Sequence, residues 1–206
     1  MIGKIITFKS TFGHGGPENW SVEKGPDTWF FNKARSKFGA IFDLGVHKID
    51  LIRFILNDEI KKVTSRSFTL DKRKSDGSFI DVDDNSIGIY EFESGVVGTI
   101  TSSWTYYGEE DNSTIFYGDK GLLKIYDDPK YSIKAFLLNG DRIDYDIDHI
   151  QTNESQTNSG VIDNFVDSLI NKKSSVLEAV EILGSMRAVF AGIESNNNND
   201  TENVGN

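Results

Sequence analysis

The feature that most limits what this chain can fold into is a long central stretch without a helical pattern. From residue 63 to residue 147, short β-branched and aromatic runs follow one another with only turn residues between them. The runs are Val63 to Leu70, Ser86 to Phe92, Val96 to Trp104, Ser113 to Tyr117, Leu122 to Tyr126, Ser132 to Leu138 and Arg142 to Ile147. Glu93-Ser94-Gly95, Gly118-Asp119-Lys120-Gly121 and Asn139-Gly140 read as hairpin connections, the last because both residues tolerate positive φ. One earlier strand is expected at Lys4 to Ser10. Strands that do not alternate with helices cannot build a doubly wound nucleotide fold. The order predicts an α+β domain: a large antiparallel-rich open sheet with helices packed on one face.

Helical periodicity is confined to three places. Gly39 to Leu56 is the first. Val161, Ile162, Phe165, Val166, Leu169 and Ile170 form the apolar face of the second. The third opens at Ser175-Val176-Leu177-Glu178, a capping-box pattern, and carries Val176, Val180, Leu183, Met186, Val189, Phe190 and Ile193. Residues 1–195 are thus expected to form one domain. Residues 196–206, which begin with four asparagines, are expected to be a flexible polar tail.

Composition removes several function classes. The net charge of −10 disfavours a nucleic-acid partner, which needs clustered Lys and Arg. Lys72-Arg73-Lys74 sits among aspartates and reads as a solvated turn. No run approaches the roughly 18 apolar residues of a membrane helix. Cysteine is absent, so disulfides and thiolate metal sites are excluded. The N-terminus lacks a signal-peptide pattern, and a cytoplasmic location is expected.

The helix at 39–56 carries the chemistry. At 100° per residue, Asp43, His47 and Asp50 fall on one narrow stripe of an otherwise apolar helix. A buried stripe of two carboxylates and an imidazole is costly unless paired. An Asp one turn before a His can hold the ring or a substrate hydroxyl, and His exchanges protons near neutral pH. A histidine that merely satisfies a backbone group is the structural alternative. A metal site at Asp43, His47 and Asp50 lacks a supporting His or Cys cluster, so none is expected. Gly39 and Gly45 allow a backbone or a ligand to approach. His14, in a glycine-rich loop, and Trp29, in the segment leading to the helix, are further substrate-contact candidates. Trp104 reads as a core or interface aromatic, His149 as a surface residue, and Asp81, Asp83 and Asp84 as a solvated turn.

The run from Phe38 to Leu51, with Asp43, Gly45, His47 and Ile49-Asp50-Leu51, resembles the helix shared by the glucose–fructose oxidoreductase, inositol dehydrogenase and MocA family. Trp29-Phe30-Phe31, Asp83-Asp84-Asn85, Tyr90 to Gly95, Gly118 to Gly121 and Ala191 to Ser195 agree in order and spacing, so the resemblance spans residues 3–195. It implies the substrate-binding half of an NAD(P)-dependent sugar or sugar-nucleotide dehydrogenase. Asp43 would orient the substrate hydroxyl, and His47 would give or accept a proton beside the reacting carbon. Asp50, Trp29 and His14 would contact substrate, and the sheet would make a homo-oligomer.

Two departures accompany the resemblance. Lys37-Phe38-Gly39 stands where the family has three glycines, a bulkier approach to the helix. No G-x-G-x-x-G occurs: after Gly13, Gly15 and Gly16, Glu18 fills the last position. NAD or NADP is therefore implied by the family, with no cofactor-binding residue expected in this chain. The partner would be the missing Rossmann domain or a complete paralogue, and the chain alone is expected to be inactive. An oligomerisation or binding module derived from such an enzyme is the alternative.

Overall fold

A computed structural model describes residues 1–147, 160–175 and 178–205. Its centre is one nine-stranded sheet, in the order β8-β7-β6-β5-β1-β4-β3-β2-β9. The strands are β1 (Ile5–Gly13), β2 (Ile60–Phe68), β3 (Asn85–Phe92), β4 (Val97–Ser103), β5 (Thr114–Gly118), β6 (Gly121–Ile125), β7 (Ile133–Leu137), β8 (Arg142–Tyr145) and β9 (Glu202–Asn203). Every neighbouring pair is antiparallel except β1 with β4. The expected α+β class and its antiparallel-rich sheet are therefore what forms.

The helices are α1 (Lys33–Ser36), α2 (Val46–Leu56), α3 (Val161–Asn171) and α4 (Ala179–Asn198), and a π-helical turn at Ile41–Gly45 runs directly into α2. The π turn, α2 and α4 pack on one face of the sheet. There Ile49 and Ile52 of α2 and Ala188, Val189 and Ala191 of α4 meet Phe8, Val63, Tyr90, Phe92, Ile100 and Phe116. The strands supply these residues by strict alternation, since side chains two apart share a face. Register carries the complementary set to the other face: Ile87, Ile89 and Val97, which remain exposed.

Turn chemistry accounts for the hairpins. Gly95 and Gly140 adopt φ of +85° and +94°, a region that glycine enters without a Cβ clash. Val176 and Leu177 of the expected capping box, and His149, lie outside the described residues. Within that box, the Ser175 amide donates to Glu178 Oε1 at 3.0 Å.

The flexible tail expected at residues 196–206 is corrected over its described part, residues 196–205. α4 continues to Asn198, and the chain then returns to pair Glu202 and Asn203 with β2. The polar side chains expected to favour solvent instead bond to the fold. Asn196 Oδ1 accepts from the Ser67 amide, and Thr64 and Thr201 share a hydroxyl hydrogen bond of 2.7 Å. Charged and hydroxylic side chains in a terminal segment are compatible with an edge strand, where the backbone supplies the pairing.

Candidate functional site

The site begins with a clamp on the backbone. A Cβ at Gly39 would lie 2.0 Å from the Asp83 carbonyl oxygen, so only glycine lets these two segments touch. The Asp83 carboxylate accepts from the amides of Gly39 (3.0 Å) and Ile41 (2.8 Å), while its carbonyl accepts from Ala40. These are the free N–H groups that any helix start exposes. Burial pushes the Asp83 carboxyl up to about 6 despite these bonds. Asp84 is fully buried and accepts from the amides of Asp71 and Lys72, both at 3.0 Å. Asp83 and Asp84 are therefore not the solvated turn expected of them. The acidic run holds backbone amides that would otherwise be unpaired.

From this clamp the π turn presents Asp43. A π turn holds an extra residue and is common at functional positions. Asp43 is half-buried, and its Oδ2 accepts from the indole N–H of Trp104 at 3.1 Å. Burial raises the Asp43 carboxyl above its ordinary value; the Trp104 bond and the nearby His47 act the other way. Trp104 is fully enclosed by Phe31, Leu44, Ile80 and Val82. It is indeed a core aromatic, and also the group that fixes Asp43.

His47 lies on the exposed side of α2, its ring 6.1 Å from that of Phe12 on β1. His14 flanks the same Phe12 ring at 5.8 Å. The expected stripe is thus less buried than the apolar helix implied. His47 is exposed beside the end of β1, where His14 flanks the same Phe12 ring, and Asp43 lies one turn before His47.

Asp50 does not join them. It is half-buried and accepts from Ser185 of α4 at 2.8 Å, and it lies 3.7 Å from Arg53. Asp50 lies three residues beyond His47 in α2, about 60° round the helix and almost a turn further along it, where Ser185 and Arg53 engage it. Trp29 is also displaced from expectation. It forms a short 3-10 turn with Phe30 and Phe31 and lies against Phe30, centroids 4.0 Å apart. Phe30 in turn meets Trp104 edge-on, which leaves Trp29 two rings removed from Asp43.

The bulky approach at Lys37-Phe38 does not fill the site. The Phe38 ring stacks on Phe42 and meets Phe190 of α4. Lys37 keeps a positive φ of +70°, a backbone shape that glycine adopts more readily.

Lys48 and Lys72 were missed as site-supporting groups. Lys48 is 2% exposed and donates to the Asn112 carbonyl at 2.8 Å. Burial lowers its ammonium to about 8, with Asp111 and Glu110 opposing the shift. It ties α2 to the loop that follows β4. Lys72 is 4% exposed, pairs with Glu18 and donates to the Gly15 carbonyl at 2.6 Å. The expected solvated turn therefore supplies a buried cation that pins the loop after β1. The available signal was Glu18 itself, an acid inside an otherwise glycine-rich loop.

The described residues do not fit a nicotinamide cofactor. β1 leads into a loop closed by the Lys72–Glu18 pair, with no glycine-rich turn into a helix for a pyrophosphate.

The open mixed sheet with its covering helices is a fold shared with solved oxidoreductases. An NAD-binding oxidoreductase from Klebsiella pneumoniae aligns over 100% of this chain and 60% of its own, with a TM-score of 0.81 and 20% identity. An Agrobacterium radiobacter oxidoreductase, solved with NAD+, L-tartaric acid and magnesium, aligns over 99% and 58%, with a TM-score of 0.79 and 19% identity. In sequence, levoglucosan dehydrogenase of Pseudarthrobacter phenanthrenivorans is 25% identical over 140 residues, 59% of this chain and 35% of that protein. The family model for the GFO/IDH/MocA C-terminal domain matches residues 1–124, and the chain belongs to that family. It spans about a third of the length of the curated relative and about three fifths of the solved ones.

Proposed function

We propose that this chain is the substrate-side half of an NAD(P)-dependent sugar or sugar-nucleotide dehydrogenase. The observation that carries it is the Asp43–Trp104 bond beside an exposed His47. A carboxylate is fixed in place while an imidazole one turn away stays open to a ligand. Asp43 would accept from a substrate hydroxyl, and His47 would take or return its proton as the carbon is oxidised or reduced. The nicotinamide that exchanges hydride with that carbon would be held by a Rossmann domain or a complete paralogue. Levoglucosan dehydrogenase, the curated relative, supports a sugar as the substrate class. A cytoplasmic location agrees with the absence of cysteine.

Fluorescence titration of the purified chain with NADH and NADPH tests this. No saturable binding into the millimolar range is expected, nor any turnover with sugar added. Saturable binding would mean that the chain holds a complete cofactor site, and the half-enzyme proposal would fall.

A second role is favoured by the uncovered sheet face. Ile87 and Ile89 are about half exposed, and Val97 and Tyr117 each 40%, all on the side away from the helices. Such a face suits a homo-oligomer or a binding module. Sedimentation of the chain before and after Ile87→Asp with Ile89→Asp separates the two. Loss of self-association with the fold intact would establish the sheet as the contact.

A further inference from the structure

The loop after β1 is more rigid than its glycines suggest. Gly25 N donates to the Glu18 carbonyl at 2.9 Å, and the hydroxyls of Ser21 and Thr28 share a buried hydrogen bond of 2.9 Å. Lys72 holds the loop from beneath through Gly15 and Glu18. This frame presents Trp20, which is 44% exposed. Trp20 meets His14 at 6.1 Å and Phe30 at 5.1 Å, with interplanar angles of 81° and 70°. Neither neighbour is stacked face to face on the indole. Trp29 differs, since Phe30 lies nearly parallel to it at 4.0 Å.

His14 is fixed in a particular form. Its Nδ1 accepts from the Gly16 amide at 3.0 Å, so the proton of the neutral ring sits on Nε2. Burial, and secondarily the charge of Lys72, lower its pKa and favour that neutral state. His14 is thus an uncharged N–H donor beside an exposed indole, and it shares the Phe12 ring with His47.

We propose that Trp20 and His14 form a subsite for a neutral sugar ring: the Trp20 indole packs on the ring's C–H face, and His14 Nε2–H donates to a ring or hydroxyl oxygen. The proposal rests on the substrate-half function and narrows it. A carbohydrate presents apolar C–H surface and polar oxygens together, and an aromatic side chain next to a fixed donor matches both. The charges nearby disfavour a phosphorylated sugar or a sugar nucleotide. Lys72 is neutralised by Glu18, and Lys48 is turned to the Asn112 carbonyl with Glu110 and Asp111 close by. Neither cation is left to receive a phosphate.

Saturation-transfer NMR on the full chain, with levoglucosan as the probe, tests the subsite. Transfer to the sugar's C–H protons is expected. Trp20→Ala should weaken binding about tenfold, equivalent to about 1.4 kcal/mol. Trp29→Ala should leave it unchanged. His14→Phe should weaken it, and His14→Gln, which keeps an N–H donor, should restore part of the loss. Circular dichroism of each variant confirms the fold. Glucose 6-phosphate should bind no more tightly than glucose. If Asp43→Asn reduces binding while Trp20→Ala does not, the subsite is wrong and the substrate-half function stands. If the parent chain transfers no saturation to levoglucosan, the subsite is also overturned, and the cofactor titration then judges the broader function. Tighter binding of the phosphate ester would overturn the restriction to neutral sugars.

Discussion

Asp43 and Asp50 lie seven residues apart on nearly one continuous helix, yet they serve opposite ends of it. At the Asp43 end the buried polar groups lean on rigid neighbours: Gly39 and Ile41 on Asp83, and the Asp43 carboxylate on Trp104. The adjacent His47 is left uncovered. At the Asp50 end the polar groups hold each other. Arg53 bonds Glu59 through Nε at 2.9 Å, Ser185 Oγ at 2.7 Å and the Glu181 carbonyl at 3.1 Å, and Ser185 donates to Asp50. That network joins α2 to α4 through groups that bond one another. A carboxylate is therefore a site candidate when its fixed partners leave neighbouring groups open, and a structural one when the network closes.

The contrast is most exposed to test at Asp83. Asp83→Ala would leave the buried amides of Gly39 and Ile41 unpaired and should cost about 3 kcal/mol in urea unfolding, disordering the Asp43 end first. A loss under about 1 kcal/mol would show that the clamp does not support the site.

Lys48 gives a pH-resolved contrast. Its folded-state pKa, about 8, lies below the ordinary lysine value of 10.5. Between these limits the unfolded chain binds the extra proton, so stability attributable to Lys48 rises with pH across that window. Below about pH 8 the buried charge is a full cost. The stability of Lys48→Met relative to the parent should therefore be greatest near pH 7 and decline by on the order of 2 kcal/mol toward pH 10.5. A difference flat with pH would contradict the shift.

At the other end, Arg53→Ala should cost about 1–2 kcal/mol, chiefly through the bonds to Ser185 and Glu181. It should leave levoglucosan binding as it was, and a change in binding would couple the two ends. Asp43→Asn is expected to be the mildest for folding, within about 0.5 kcal/mol, because the amide oxygen can still accept from Trp104. A large destabilisation would make Asp43 structural after all.

Much of this was legible in the sequence. The strand runs alternate cleanly, so β3 to β8 fall within one or two residues of the expected positions. Gly39, Asp43 and His47 stood out because a glycine, an acid and an imidazole interrupt an apolar helix at turn spacing, and the structure sets them against Asp83, Trp104 and Phe12. Asp50 was grouped with them because a helical wheel counts angle and ignores the rise that carries Asp50 toward Ser185 and Arg53. Lys48 and Lys72 were passed over because their roles depend on segments far away in the chain. Lys72 meets Glu18 across 54 residues, and Lys48 meets Asn112 across 64. Residues 196–206 were misjudged because an edge strand draws its pairing from the backbone, to which composition is blind.

The π turn also makes segment length a functional parameter. Gly39 is pinned by Asp83 at one end, and His47 is placed against Phe12 at the other. One further residue inserted between them would find no second wide turn to absorb it and would swing the downstream surface by roughly 100°. His47 would then turn away from Phe12, whatever amino acids remained. Eight positions separate these two anchors in the count from 39 to 47. That count constrains the chain independently of composition, so a single-residue insertion here is a different kind of change from any substitution.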